Sequence, residues 1–299
     1  MFGVYFGKYL VDVGIISEEV YAGLLESTRN DKVKMGLLAV DLGLMTEEQA
    51  QEVNQLQQQL DKRFGDIAIE KGYLTEDDVY DLLDKQGDAY LLFVQAVLES
   101  GIMDFEDIKK ELGNYRRSEH LTLSDIEAIK TGDVDRIVPV FMKDTGMPEF
   151  IKQYVSLTAR NIVRFIDRFF IMERIEKTDD FELPCAVMQT IHADTDMTII
   201  IGGLKEDLAI GSDNFVMNVT GRNDMEYDPL DVAGEFLNVN DGLYVSSVLC
   251  ERTDVKVDSP VIKADGVRIR TDKEMYVVPL LIDERPIEFI ICTGDATIS

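Results

Sequence analysis

The stretch DVAGEFLNVNDG, residues 231–242, carries two carboxylates and an amide at helical spacing. Asp231, Glu235 and Asn238 stand at i, i+4 and i+7, so a helix shows all three on one face. Val232, Phe236, Val239 and Leu243 repeat that spacing one residue later as an apolar stripe, and Gly242 reads as the helix end. An amide is no base, but it can hydrogen-bond a water and hold it, and the carboxylates bring negative charge. Such a front is either a solvated face or a place where chemistry is done. Glu-x-x-Asn alone does not decide, since Glu111 and Asn114 repeat it. In HADTD, His192, Asp194 and Asp196 alternate as metal ligands can, but aspartates at a bend are ordinary turn formers and no metal is expected.

The chain that must position these groups has 299 residues, enough for two ordinary domains, with 45% apolar and 29% charged residues, a globular balance. Its 57 acidic against 30 basic side chains give a net charge of −27. That field repels nucleic acid and anionic membranes and favours a partner with a basic surface. Cys185, Cys250 and Cys292 are odd in number and far apart, so no disulfide framework is implied. The apolar start MFGVYFGKYLVDVGII has no basic opening or small-residue cleavage site, and no 18-residue apolar run exists. A reducing, cytoplasmic protein without membrane insertion is expected.

Gly14, Gly43, Gly72 and Gly101 stand 29 residues apart, and Gly7, Gly36 and Gly65 keep the same beat. Fixed-period similarity implies a repeated supersecondary unit. In each unit a helix closes at the glycine, which supplies the left-handed backbone of a C-cap, and Ser17, Thr46, Thr75 or Asp104 caps the next helix. Thr46 with Gln49 makes a capping box. Residues 1–115 are therefore expected as an all-α domain of helical hairpins, with helices only.

This beat resembles the N-terminal domain of type II secretion and type IV pilus assembly ATPases. Residues 34–57 and 63–86 are two 24-residue copies with five residues between, a layout similar to the MshEN subtype that binds cyclic di-GMP. The resemblance implies roles in nucleotide binding for Lys34, Gln57, Arg63 and Gln86, with Lys34 standing where arginine is expected. The other reading is a helical docking module without a ligand. No G-x-x-x-x-G-K-[ST] motif follows.

Residues 116–147 read as a helical connector, with Ser124 and Glu127 as a capping box, His120 as an exposed linker residue, and a domain boundary near Gly146–Pro148. Residues 148–299 open with an amphipathic helix, PEFIKQYVSLTARNIVRFIDRFF. The strand-like runs CAVMQTIHA and MTIIIGGL follow, joined by DTD. After them come a poorly periodic stretch, KEDLAIGSDNFVMNVTG, the 231–242 helix, and alternating β-branched runs to the end. An α+β fold with an antiparallel sheet is expected. YVSLTARN (154–161) overlays DVAGEFLN (231–238), with Tyr154, Thr158 and Asn161 where Asp231, Glu235 and Asn238 stand, so the two long helices read as a weak internal duplication.

That half resembles the CheC/CheX/FliY chemotaxis phosphatases, the CheX-like branch in particular, because only one helix is armed. The family's pattern is Asp or Ser, then Glu, then Asn, with a proline about twenty residues on. Asp231, Glu235, Asn238 and Pro260 fill it, and Gly242 matches a small residue common there. The resemblance implies a phosphatase of a phosphorylated CheY-like receiver in two-component signalling. The receiver would bring its own Mg²⁺, so no intrinsic cofactor is needed. Asn238 would hold the attacking water, Glu235 would pair with the receiver's lysine, and Asp231 would assist docking or cap locally. A receiver-binding adaptor without activity and a cyclic di-GMP-responsive signalling protein are the alternatives. The cognate receiver stays open, as does the oligomeric state, a homodimer included.

Overall fold

The computed structural model describes residues 2–28, 32–60, 62–84, 89–167, 169–222, 226–249, 254–294 and 296–299. The chain forms two compact units, Met1–Gly132 and Asp133–Ser299. Segment 116–147 is thus divided between them after Gly132.

The described residues of the first unit hold helices and turns and no strand. The helices are α1 (Phe2–Asp12), α2 (Glu18–Thr28), α3 (Met35–Asp41), α4 (Glu47–Leu60), α5 (Phe64–Glu70), α6 (Glu76–Asp84), α7 (Ala89–Ser100), α8 (Phe105–Ser118) and α9 (Leu123–Lys130). Gly14, Gly43, Gly72 and Gly101 follow α1, α3, α5 and α7 with φ of 75°, 69°, 71° and 71°. These values suit a residue without a Cβ and explain the glycines at these helix exits. Thr46 and Gln49 bond reciprocally, at 2.8 and 3.2 Å, and Thr75 and Asp104 cap α6 and α8. The inner glycines serve packing: a Cβ on Gly7 would meet the Tyr21 ring at 2.5 Å, and one on Gly65 the Val79 side chain at 2.9 Å. A core of Phe2, Phe6, Tyr9, Phe93 and Tyr115 joins α1, α7 and α8. The capping box of α9 is made by Thr122 and Asp125, two residues before the expected Ser124 and Glu127, because Thr122 has the extended backbone a cap requires and Ser124 is already helical.

The second unit contains α10 (Val134–Phe141), α11 (Glu149–Phe165), β1 (Ile171–Met172), β2 (Glu176–Leu183), β3 (Cys185–His192), β4 (Met197–Gly203), α12 (Lys205–Thr220) and α13 (Pro229–Ser247). It continues with β5 (Lys256–Val257), β6 (Val261–Lys263), β7 (Val267–Ile282), β8 (Arg285–Thr293) and β9 (Ala296–Ile298). The sheet runs β1-β7-β8-β4-β3-β5, with β2 and β9 also on β7 and β6 on β3. Among the described residues the strands pair antiparallel. The strand β2 breaks the sequence expectation, since EKTDDFEL shows little apolar alternation; it pairs along β7 with most of its side chains exposed or half-buried. The "poorly periodic" stretch is the helix α12, which ends at Gly221 in the left-handed region. Its buried line includes Asp207, Gly211 and Ser212, small or polar residues that give no apolar stripe to read.

Register fixes which side of the sheet the helices cover. Val187, Ile201 and Phe289 are direct neighbours across β3, β4 and β8, so they share one face. Tyr154 of α11 stacks over Phe289, and Gly234 of α13 sits on Val187. The helices α11 and α13 therefore lie on the same face. The opposite face, with Ala186, Met188, Ile200 and Ile290, buries against Val267 and Ile269 of the same long β7. Among the described residues no helix is long and apolar enough to cross a membrane. Cys185 and Cys292 are buried free thiols, and Cys250 lies outside the described residues.

Candidate functional site

The site is built on α13. Asp228 caps the helix by accepting the Leu230 N–H at 2.9 Å, and Pro229 supplies the fixed φ of a first helical turn. The Asp228 carboxylate also holds Lys205 at 2.6 Å, and that ammonium keeps it below the usual carboxylate range. Leu230, Val232, Ala233, Gly234, Phe236 and Leu237 face inward. At Gly234 a Cβ would stand 3.4 Å from Pro260 and 3.5 Å from Val187, so the missing side chain lets the helix lie close on β3 and on the loop that carries Pro260. Asp231, Glu235 and Asn238 are exposed on the other side, as their spacing requires.

Two expectations for this helix are corrected. It does not end at Gly242 but runs to Ser247; Gly242 is an exposed mid-helix residue whose missing Cβ would meet nothing. Val239 does not belong to the buried stripe either. It is 37% exposed, because Leu237, Asn240, Asp241 and Tyr244 form the buried line on that half of the helix. The exposed face therefore continues past Asn238 with a small residue at Gly242 and an apolar one at Val239.

Asn238 is held from below. Gln189, on β3 two residues from Val187 and on the same face, is only 3% exposed. Its Nε2 donates to Asn238 Oδ1 at 2.8 Å and to the Asp258 carbonyl at 2.7 Å. Its own Oε1 is buried without a hydrogen-bond partner among the described residues, which costs about 1–3 kcal/mol. Asp258 is fixed in turn: its N–H donates to the Thr190 carbonyl at 2.9 Å, and its carboxylate meets Lys256 at 2.6 Å and His192 Nε2 at 2.9 Å. His192 Nδ1 lies 3.0 Å from Asp196, so the HADTD residues serve an Asp–His–Asp chain at this end of the sheet, and the two aspartates raise the imidazole above its ordinary value. Sequence reasoning passed over Gln189 and Asp258. The available signal was a lone amide inside the apolar strand CAVMQTI.

Behind α13 lies a second polar constellation, wholly buried. The Tyr154 hydroxyl donates to Asp241, and Asn240 Nδ2 donates to Tyr154 Oη at 2.8 Å and to Thr158 Oγ1 at 3.0 Å. Asn161 Nδ2 donates to Asn240 Oδ1 at 2.7 Å. Burial pushes Asp241 up to about 7 and Tyr154 well above its ordinary value. The α11 residues that overlay the α13 motif in sequence thus face inward and tie the two helices together, while Glu235 and Asn238 face outward.

The first-unit candidates are spread over several elements. Lys34 precedes α3 and its ammonium lies 2.6 Å from Glu99; Arg63 precedes α5 and is exposed; Gln57 is exposed on α4. Gln86 lies outside the described residues.

No family model matches the chain, and no curated protein does. Solved structures resemble one half of it. A chemotaxis protein CheX from Desulfovibrio desulfuricans is 16% identical over 49% of this chain and 100% of that one, with a TM-score of 0.40. A CheC-like superfamily protein from Shewanella sp. PV-4 is 10% identical over 50% and 100%, with a TM-score of 0.39. The CheX–CheY–BeF3–Mg²⁺ complex from Borrelia burgdorferi is 15% identical over 49% and 99%, with a TM-score of 0.34.

Proposed function

We propose that residues 133–299 form a phosphatase for the phosphoaspartate of a CheY-type receiver in chemotaxis signalling. The observation that carries this reading is one exposed helical face presenting Glu235 and Asn238 a turn apart, with the Asn238 amide anchored from the sheet below. The Asp-x-x-x-Glu-x-x-Asn pattern with Pro260 against Gly234 supports it. The receiver supplies the phosphoryl group, its Mg²⁺ and a lysine. Glu235 pairs with that lysine and sets the docking angle, and Asp231 adds negative charge at the helix start. Asn238 holds a water in line with phosphorus. The water oxygen bonds to phosphorus as the phosphorus–oxygen bond to aspartate breaks; the carboxylate leaves with the bonding pair, and the water's proton ends on phosphate. This chemistry needs positioning and charge stabilisation rather than a covalent intermediate on the phosphatase.

The test is receiver dephosphorylation in Mg²⁺ beside a binding titration. Asn238→Ala should slow turnover on the order of a hundredfold while leaving receiver affinity near wild type. A wild-type protein that binds the receiver without shortening its phosphate lifetime makes the chain an adaptor. For the first unit we propose a helical-repeat docking module, supported by the equal glycine spacing and the matching caps. Calorimetry with cyclic di-GMP separates this module from a dinucleotide-binding one.

A further inference from the structure

We propose that Gln189 is a positioning residue that sets which end of the Asn238 amide meets the reacting group. The inference rests on the phosphatase reading of Asn238. It starts from a carbonyl that can only accept. The Asp258 C=O lies 2.7 Å from one end of the Gln189 amide, so that end is the nitrogen. The same nitrogen lies 2.8 Å from the Asn238 side chain, and the atom facing it is therefore the acceptor, Oδ1. The Asn238 NH₂ is left pointing away from the sheet, where it has no hydrogen-bond partner among the described residues. An exposed asparagine on a helix can otherwise turn its amide over at little cost. Here Gln189 is buried in β3, and the backbone of Asp258 is itself pinned to Thr190, so the orientation is inherited from the sheet.

The direction matters because the target is an anion. An outward carbonyl would set lone pairs against phosphoryl oxygens. An outward NH₂ donates one N–H to the water oxygen, leaving its other lone pair free for phosphorus, and offers the second N–H to a phosphoryl oxygen on which charge grows. Both hydrogen bonds of the Gln189 NH₂ end at this contact, on the Asn238 amide and on the Asp258 carbonyl.

Side-chain amide exchange in the free full-length protein reads the orientation directly. The Gln189 NH₂ protons should exchange with water slowly and the Asn238 NH₂ protons fast. Slow exchange at Asn238 would mean that it donates inward and would overturn the inference, whatever the activity. Gln189→Met and Gln189→Glu then test the consequence on a phosphorylated receiver. Both should lower kcat about ten- to a hundredfold with KM within about twofold of wild type, as expected for a positioning group. Gln189→Met should cost nothing further in an Asn238→Ala background, whereas a merely structural role would add to it. If Asn238→Ala is slow but both Gln189 variants turn over normally, the role of Gln189 falls and the phosphatase reading stands. If wild type leaves the receiver's phosphate untouched, the phosphatase reading falls, and with it the catalytic consequence assigned to Gln189.

Discussion

Asn161 donates its side-chain amide to Asn240 Oδ1 at 2.7 Å. The residue that the sequence aligns with Asn238 is thus bonded to the residue two places beyond it. Asn161 and Thr158 act from α11 on the buried side of α13, and their partners belong to the fold, not to a ligand. Thr158→Val should therefore destabilise the protein by about 1–3 kcal/mol, by leaving an Asn240 N–H unpaired in the core. It should leave receiver turnover per folded molecule unchanged. Urea midpoints beside the dephosphorylation assay check both halves; a turnover loss as large as that of Asn238→Ala would show that the wrong helix has been taken as armed.

Asp241 gives a pH signature. Its ordinary value is 3.8 and burial pushes it up to about 7. Between those values Asp241 in the folded protein keeps a proton that the unfolded chain has released, so the contribution of this group to stability falls as pH rises from about 4 to about 7 and stays level above. Asp241→Asn keeps an oxygen to accept from Tyr154 and cannot ionise. It should flatten that slope and raise stability at pH 8 by roughly 1–3 kcal/mol, while gaining little near pH 4. Denaturation midpoints at the two pH values measure the difference.

Glu235 is exposed, so any pair it makes with a cationic receiver group is screened by salt. Glu235→Gln should weaken receiver binding about tenfold at low ionic strength and by about threefold or less near 0.5 M salt. Titrations across a salt series test this; a defect independent of salt would assign Glu235 to shape rather than charge.

Gly43 has φ of 69° and open space where a Cβ would stand. Only the backbone conformation resists substitution there. Gly43→Ala should cost about 1 kcal/mol, and Gly43→Asn less, because asparagine tolerates the left-handed region. Thermal midpoints of the two variants give the order.

The sequence by itself determined the helix exits at the four evenly spaced glycines and the exposed face of α13. The glycines with φ near 70° and the capping residues mark where first-unit helices stop and start, since a C-cap and an N-cap each demand a backbone or side chain that few residues supply. The i, i+4, i+7 spacing of Asp231, Glu235 and Asn238 was enough to put them on one exposed face of α13, because helical periodicity is local. Tertiary structure decided everything that depends on distant partners. It carried α13 past Gly242, because Tyr244 is buried and bonds to the Phe150 carbonyl of α11. It turned Val239 outward and Asp241 inward, and made α12 from a stretch with no apolar stripe. Gln189 is 49 residues from Asn238 and 69 from Asp258, and only the packing of α13 on β3 brings them to hydrogen-bonding distance. A side chain's type and spacing name the face it occupies; which of its atoms points outward is set by a partner that the chain reaches only after folding.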